Sequence, residues 1–303
     1  MLMETQILDA QVAFHERPFL KPLLLSSGAI TNLTEVTARV RVRVNSIVAE
    51  GRGSIYLSDL WAWPGTALSH DRKDSVLRRI CETMARRLPD LCGGEAAHPL
   101  ELGLRLHHAL NDGSLIPDGI PLPRLALAMC ASPFDAALHD AAGCALNRSA
   151  FDLYVDDTPL PAADALFPGQ GACAAIRSIL RPPIMEFDAW WIVGAADAMD
   201  RDLAPIVRSR GYRCFKLKLP GRDNAADAAR TAEVYRAAQR FGALRPRITV
   251  DTNEANPDAA SVLDYLLRLR ALDPEAFAAI EYLEQPTSRD LARAAFDWHE
   301  VAR

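Results

Sequence analysis

The stretch "RCFKLKLPGRD", Arg213 to Asp223, decides how the rest of the chain is read. As a β-strand it alternates: Phe215, Leu217 and Leu219 share one face, while Cys214, Lys216 and Lys218 share the other. Two ammonium groups therefore lie side by side at the end of a strand that a Pro-Gly turn closes. The segments around it repeat this grammar. "AWWIVGA" (Ala189 to Ala195) reads as a strand before it. "NAADAARTAEVYRAAQRF" (Asn224 to Phe241) reads as a helix, "RITVDTN" (Arg247 to Asn253) as a strand, and "DAASVLDYLLRLRAL" (Asp258 to Leu272) as a helix. "AIEYLEQP" (Ala279 to Pro286) is the next strand, and "RDLARAAFDWHEVAR" opens a further helix. Strands alternating with helices in this way signal parallel βα units.

The polar residues of these strands fall at their C-terminal ends: Lys216 and Lys218, then Asp251 with Asn253, then Glu284. The interval from Lys218 to Asp251 equals that from Asp251 to Glu284, 33 residues each. In a parallel α/β barrel that end of every strand opens on one face, where active sites are built. Two carboxylates on neighbouring strands suit a hard divalent cation; Mg²⁺ takes one or two carboxylates and leaves other positions for substrate. A cation on a substrate carboxylate acidifies the α-carbon by stabilising an enediolate. A lysine can remove that proton only when neutral, and burial and a second ammonium both favour the neutral form. Lys218 is then the base and Lys216 the group that tunes it and can bind the substrate carboxylate. Each motif alone has an ordinary reading: a wet strand face for "KLK", a turn for Asp-x-Asn, a strand broken by proline for "EQP". Their order and equal spacing favour the joint reading.

The first half of the chain has a different texture. "VTARVRVRV" (Val36 to Val44) alternates as a strand, "AEGRGS" (Ala49 to Ser54) reads as a glycine turn, and "SIYLSDL" as the following strand. Helical periodicity runs from about Lys73 to Ala128. "SPFDAALHDAAGCAL" (Ser132 to Leu146) reads as a small-residue helix with Ser132 as N-cap and Pro133 at its first position. Residues 151–183, rich in Pro, Asp and Gly, read as a linker or long loop. The expected organisation is an α+β capping domain over 1–150, a linker over 151–183, and an α/β (TIM-type) barrel over 184–303, of which about the first four βα units are present.

Composition narrows the class. The 303 residues are 50% hydrophobic and 24% charged, with a net charge of −5. That describes a soluble globular chain with no basic footprint for nucleic acid. No apolar run is long enough to span a bilayer, and the start lacks the pattern of a signal peptide. The six cysteines form no C-x-x-C pair or zinc-like cluster, which reads as free thiols in a reducing cytoplasm. His107 and His108 read as surface residues, His139 as a packing residue, and Trp61, Trp63, Trp190 and Trp191 as core or domain-interface residues rather than a ligand platform.

"KLK" (Lys216 to Lys218), "DTN" (Asp251 to Asn253) and "LEQP" (Leu283 to Pro286) resemble the strand ends of the enolase superfamily, in its mandelate racemase and muconate lactonizing branch. "SPFDAALHDAAGCAL" is similar to the alanine-rich helix closing that branch's capping domain, and "RPFLKPLLLSSG" (Arg17 to Gly28) to the segment leading into its capping loop. The resemblance implies Lys218 as general acid/base, Lys216 as its electrostatic partner, Asp251 and Glu284 as Mg²⁺ ligands, and Asn253 as support for the metal shell. Gln285 leans toward the lactonizing and dipeptide-epimerase side. The implied partner is a small-molecule carboxylate, with no nucleic acid or membrane; a homo-oligomer is left open. The implied outcomes are racemisation or epimerisation, cycloisomerisation, or dehydration. Family barrels carry a third carboxylate ligand and a second base on later strands, so the chain is expected to be C-terminally truncated at Arg303. Two further readings remain: a non-catalytic fragment, and a Schiff-base lyase acting through Lys216 or Lys218.

Overall fold

The computed structural model describes residues 4–25, 28–64, 68–116, 120–155 and 158–290. The chain forms two compact units: Met1–Leu20 with Asn32–Pro182, and Lys21–Thr31 with Pro183–Arg303. Ser26 and Ser27 of the expected cap loop, and the body of the helix expected after Glu284, lie outside the described residues.

The first half opens with strands β1 (Thr5–Leu25), β2 (Gly28–Val44) and β3 (Ile47–Tyr56), in sheet order β1-β2-β3. The period-two pattern of β2 appears as expected. Val36, Ala38, Val40, Val42 and Val44 are buried, whereas Arg39, Arg41 and Arg43 face outward. The turn to β3 is made at Asn45, whose φ is +55°, rather than at the glycines of "AEGRGS". Gly51 and Gly53 lie inside β3, paired with Val40 and Ala38. They are glycines because a helix lies on them. A Cβ at Gly51 would stand 2.1 Å from the backbone nitrogen of Ala141, and one at Gly53 2.2 Å from the carbonyl oxygen of Pro133.

After the short helix α1 (Asp59–Ala62), α2 (His70–Leu91) and α3 (Pro99–Ala109) lead to α4 (Arg124–Leu146), the helix seated on β3. α4 starts eight residues before the expected N-cap Ser132, and Pro133 lies within it. The chain tolerates this proline because of its neighbour. Pro133 has no N–H for the Met129 carbonyl four residues back, and the Ser132 hydroxyl donates to that carbonyl at 3.0 Å instead. Val76, Leu77, Ile80, Met84 and Leu88 of α2 pack with Phe134 and Leu138 of α4 into one core.

The expected linker is more ordered than its composition suggests. It holds a 3₁₀ turn (Ala150–Tyr154), α5 (Pro161–Asp164) and α6 (Ala172–Ile179). Leu160, Ala163, Ala172 and Cys173 pack against Leu100 and Leu104 of α3. The Glu101 carboxylate accepts hydrogen bonds from the amides of Ala162 and Ala163, satisfying donors that a helix start leaves unpaired.

The second half is built as the alternation predicts. β4 (Trp190–Val193), β5 (Cys214–Lys218), β6 (Arg247–Asp251) and β7 (Ile280–Glu284) form a four-stranded parallel sheet in that order. A π-helical turn (Met199–Leu203) and α7 (Ala204–Arg210) follow β4; α8 (Asn224–Arg240) follows β5; α9 (Ala259–Leu272) and α10 (Pro274–Ala278) follow β6. Aspartates start the later helices: Asp223 accepts from Ala225 and Ala226, Asp258 from Ser261, and Asp273 from Ala276. Phe215, Leu217, Ile248 and Val250 turn toward the helices and pack with Ala228, Ala232, Tyr265 and Leu269. Their alternating neighbours are thereby left on the opposite face. Among the described residues no helix is long and apolar enough to cross a membrane, and the cysteines are free, with Cys144 exposed and the others buried.

Candidate active site at the strand ends

Parallel pairing places the polar strand ends level with one another. Lys218 is opposite Asp251 on β6, and Asp251 is opposite Glu284 on β7. The side chains meet. The Lys218 ammonium donates to Asp251 Oδ2 and, at 3.3 Å, to Asn253 Oδ1. Lys216 Nζ lies 2.5 Å from Glu284 Oε2 and 3.3 Å from Asp251 Oδ2. All five residues singled out in the sequence are therefore brought together.

Asp251 is the centre of the group. Its side chain is 1% exposed, Oδ2 is shared between the two lysines, and Oδ1 accepts the Asn253 backbone N–H at 2.8 Å. Instead of facing each other bare, the two ammonium groups have a carboxylate between them. Burial pulls the pKa of Lys216 down, but the hydrogen bond to Glu284 and the charge of Asp251 outweigh it, and the net shift is upward. Lys216 is therefore a fixed positive charge, suited to hold a carboxylate.

The turns beyond the strands adopt unusual backbone. Asn253, Glu254 and Gln285 have φ of +50°, +69° and +41°, a region that costs a non-glycine residue of order 1–3 kcal/mol unless its surroundings hold it. The surroundings here are hydrogen bonds between the turns: Glu254 N donates to Gln285 O at 2.7 Å, and Asn256 N to Pro286 O at 3.0 Å. Thr252 and Asn256, the side chains within this join, drew no attention in the sequence. The available signal was a hydroxyl residue between the two members of the Asp-x-Asn motif.

The donor chemistry fits a hard cation. Asp251, Glu284 and Asn253 offer oxygen only, and the buried Asp251 carboxylate needs a positive partner, here the lysines. Among the described residues no group of three or more His, Cys, Asp or Glu could hold a metal ion. The pair is the part of a site that Mg²⁺ would complete with water or substrate oxygens.

Parallel strands with lysines and carboxylates gathered at their C-terminal ends define a class of α/β protein that carries an ionisable cluster on the face where such folds build active sites. Comparison with known proteins narrows it. No family model matches the sequence. Over 102 residues, 33% of this chain and 24% of the relative, the chain is 32% identical to muconate cycloisomerase 1 of Rhodococcus opacus. An enolase from Bradyrhizobium, solved with magnesium and mandelic acid, matches 97% of this chain and 67% of its own, with a TM-score of 0.59 and 18% identity. The muconate lactonizing enzyme of Pseudomonas fluorescens, solved with muconolactone, matches 96% of this chain and 64% of its own, with a TM-score of 0.55 and 20% identity. The N-succinyl Arg/Lys racemase of Bacillus cereus matches 94% and 60%, with a TM-score of 0.55 and 17% identity. At these identities the likeness is one of fold alone, shared with solved structures described as an enolase, a muconate lactonizing enzyme and a racemase. Local sequence match and fold together support the resemblance to the mandelate racemase and muconate lactonizing branch. The sequence match spans about a quarter of that relative's length, and the structural matches about two thirds of theirs.

Proposed function

We propose that this chain carries the first part of the active site of a Mg²⁺-dependent enzyme that removes a proton α to a carboxylate. The observation that carries the reading is the convergence of Lys216, Lys218, Asp251 and Glu284 at the ends of three adjacent parallel strands. The four strands are taken as the first four βα units of a barrel. The substrate is a small-molecule carboxylate, and the outcome a racemisation, epimerisation, cycloisomerisation or dehydration. Free thiols suit a reducing cytoplasm.

Each residue has a part. Asp251 and Glu284 would hold the cation, with Asn253 supporting Asp251 through its backbone N–H. Bound there, Mg²⁺ supplies positive charge that favours the enediolate form of the substrate. Lys216, kept protonated by its carboxylate neighbours, binds the substrate carboxylate. Lys218, once released from Asp251, would lose its ammonium proton to solvent and, as the neutral amine, receive the α-proton and return it. The lysine–carboxylate contacts keep the resting site neutral, so a cation and an anionic substrate arriving together replace one set of charges with another.

The test is α-proton exchange into D₂O by the complete protein on a panel of carboxylates, with and without EDTA. The expectation is exchange that chelation stops and Lys218→Ala abolishes. Exchange that survives thorough chelation removes the metal from the reading; exchange that survives Lys218→Ala removes Lys218 from its role.

A further inference from the structure

Thr252 sits between Asp251 and Asn253 yet points away from them. Its side chain is buried, as is Asn256, at 6% and 5% exposure. Thr252 Oγ1 lies 2.8 Å from Asn256 Oδ1 and 3.1 Å from Pro286 O. It has one proton for two acceptors. The Pro286 carbonyl has two lone pairs and accepts the Asn256 backbone N–H on one of them, so the hydroxyl is shared between Pro286 O on the β7 turn and the Asn256 amide oxygen on its own turn. From there the donors run one way. Asn256 Nδ2 donates to Ser261 Oγ at 3.2 Å, Ser261 Oγ to Asn224 Oδ1 at 3.1 Å, and Asn224 Nδ2 to the Asp264 carboxylate at 2.9 Å. The carboxylate at the far end fixes the orientation of each amide, and aligned bonds of this kind reinforce one another.

The chain of bonds touches all three site-bearing turns. Asn256 ties the β6 turn to Pro286, two residues past Glu284. The β5 turn rests on the same spot: Gly221, with φ of +69°, is so close that a Cβ there would be 2.9 Å from Thr252 Cβ and 2.8 Å from Ala255 Cβ. Upstream, Leu219 N donates to Asp251 O at 3.1 Å. Positive-φ residues lie on both the β6 and β7 turns, held by this join together with the Glu254 N–Gln285 O bond and the Arg289–Glu254 ion pair.

We infer that Thr252 and Asn256 form a latch between the turns after β6 and β7, and that this latch sets the separation of Asp251 and Glu284. They are positioning residues for the cation pair, an assignment that rests on the functional reading above. Supporting residues behind metal ligands typically change affinity 10–100-fold when altered.

The experiment measures two quantities in the full chain for wild type, Thr252→Val, Thr252→Ser and Asn256→Ala: amide hydrogen exchange, and Mn²⁺ affinity by titration. In Thr252→Val the amides of Glu254 and Asn256 are expected to exchange about tenfold faster, with amides of the β6 core unchanged, and Mn²⁺ to bind about tenfold more weakly. Thr252→Ser, which keeps the hydroxyl, restores both; Asn256→Ala, which cuts the same link from its other side, repeats the loss. Wild-type exchange in Thr252→Val and Asn256→Ala overturns the latch. Faster exchange with unchanged Mn²⁺ affinity overturns its link to the cation pair. A wild-type chain that takes up no Mn²⁺ overturns the functional reading instead, and the latch is then judged on exchange alone.

Discussion

Lys216 on β5 reaches past β6 to place its Nζ 2.5 Å from Glu284 Oε2 on β7. The two strands are not neighbours, so this ion pair spans the sheet over Asp251; under the proposed function the lysine stands where a cation would draw the two carboxylates together. Lysine and cation are thus alternative partners for the same charges.

Lys216→Met is accordingly expected to destabilise the metal-free protein and to make its stability depend on Mg²⁺. The pair is part-exposed, with side-chain exposures of 22% and 35%, so its loss is worth about 1–2 kcal/mol, below the range for a fully buried pair. Denaturant unfolding in EDTA and in millimolar Mg²⁺ measures this. The variant should fall below wild type in EDTA and recover with Mg²⁺; equal midpoints in EDTA would show that the pair adds nothing.

The glycines of β3 make a sharper prediction. At Gly51 a Cβ would meet the Ala141 nitrogen at 2.1 Å and the Ala137 oxygen at 2.2 Å, both backbone atoms that cannot swing aside. Gly51→Ala is therefore expected to cost about 3 kcal/mol or more, at the upper end for overpacking, whereas Gly94→Ala, where nothing lies within 4 Å, is limited to the backbone cost of its positive φ, about 1 kcal/mol. Equilibrium unfolding of the two variants compares them.

These glycines also show where the sequence stops being legible. The strand periodicity of Val36 to Val44 and the lysines and carboxylates of β5, β6 and β7 are local patterns, and the structure places them as read. The partners of Gly51 and Gly53 lie 80 or more residues away on α4, so a pair of glycines looks like a turn until the helix is known. Pro133 misleads in the opposite way. It mimics a helix start because the compensating bond, Ser132 to Met129, is a side-chain detail. Beyond the hydroxyl inside the Asp-x-Asn motif, Thr252 and Asn256 carry no local pattern; their meaning comes from Pro286 and Ser261.

The Ser132–Pro133 pair can be tested by coupling. Ser132→Ala leaves the Met129 carbonyl without its donor at 3.0 Å, for an expected loss of about 1 kcal/mol. In a Pro133→Ala background the backbone N–H of residue 133 is restored to that carbonyl, and the same change should cost close to nothing. A double-mutant cycle reads the difference; additive losses would mean that the hydroxyl serves another purpose.

The remaining prediction concerns pH. Asp227, near the start of α8, is 4% exposed. Burial pushes its carboxyl up to about 6, against the opposing hydrogen bond from Gly221 N and with help from the negative charge of Asp223. The unfolded value is about 3.9. Between these two values the folded chain keeps a proton that the unfolded chain has lost, so stability falls as pH rises from about 4 to about 6 and is flat above. Two units correspond to about 3 kcal/mol at most. Asp227→Asn keeps an acceptor for Gly221 N, carries no charge, and should remove this slope, leaving the variant more stable than wild type at pH 7 and close to it at pH 4. Urea unfolding of both proteins at pH 4, 5, 6 and 7 decides it: parallel curves would mean that Asp227 titrates at an ordinary value and that water reaches it through the β5 turn.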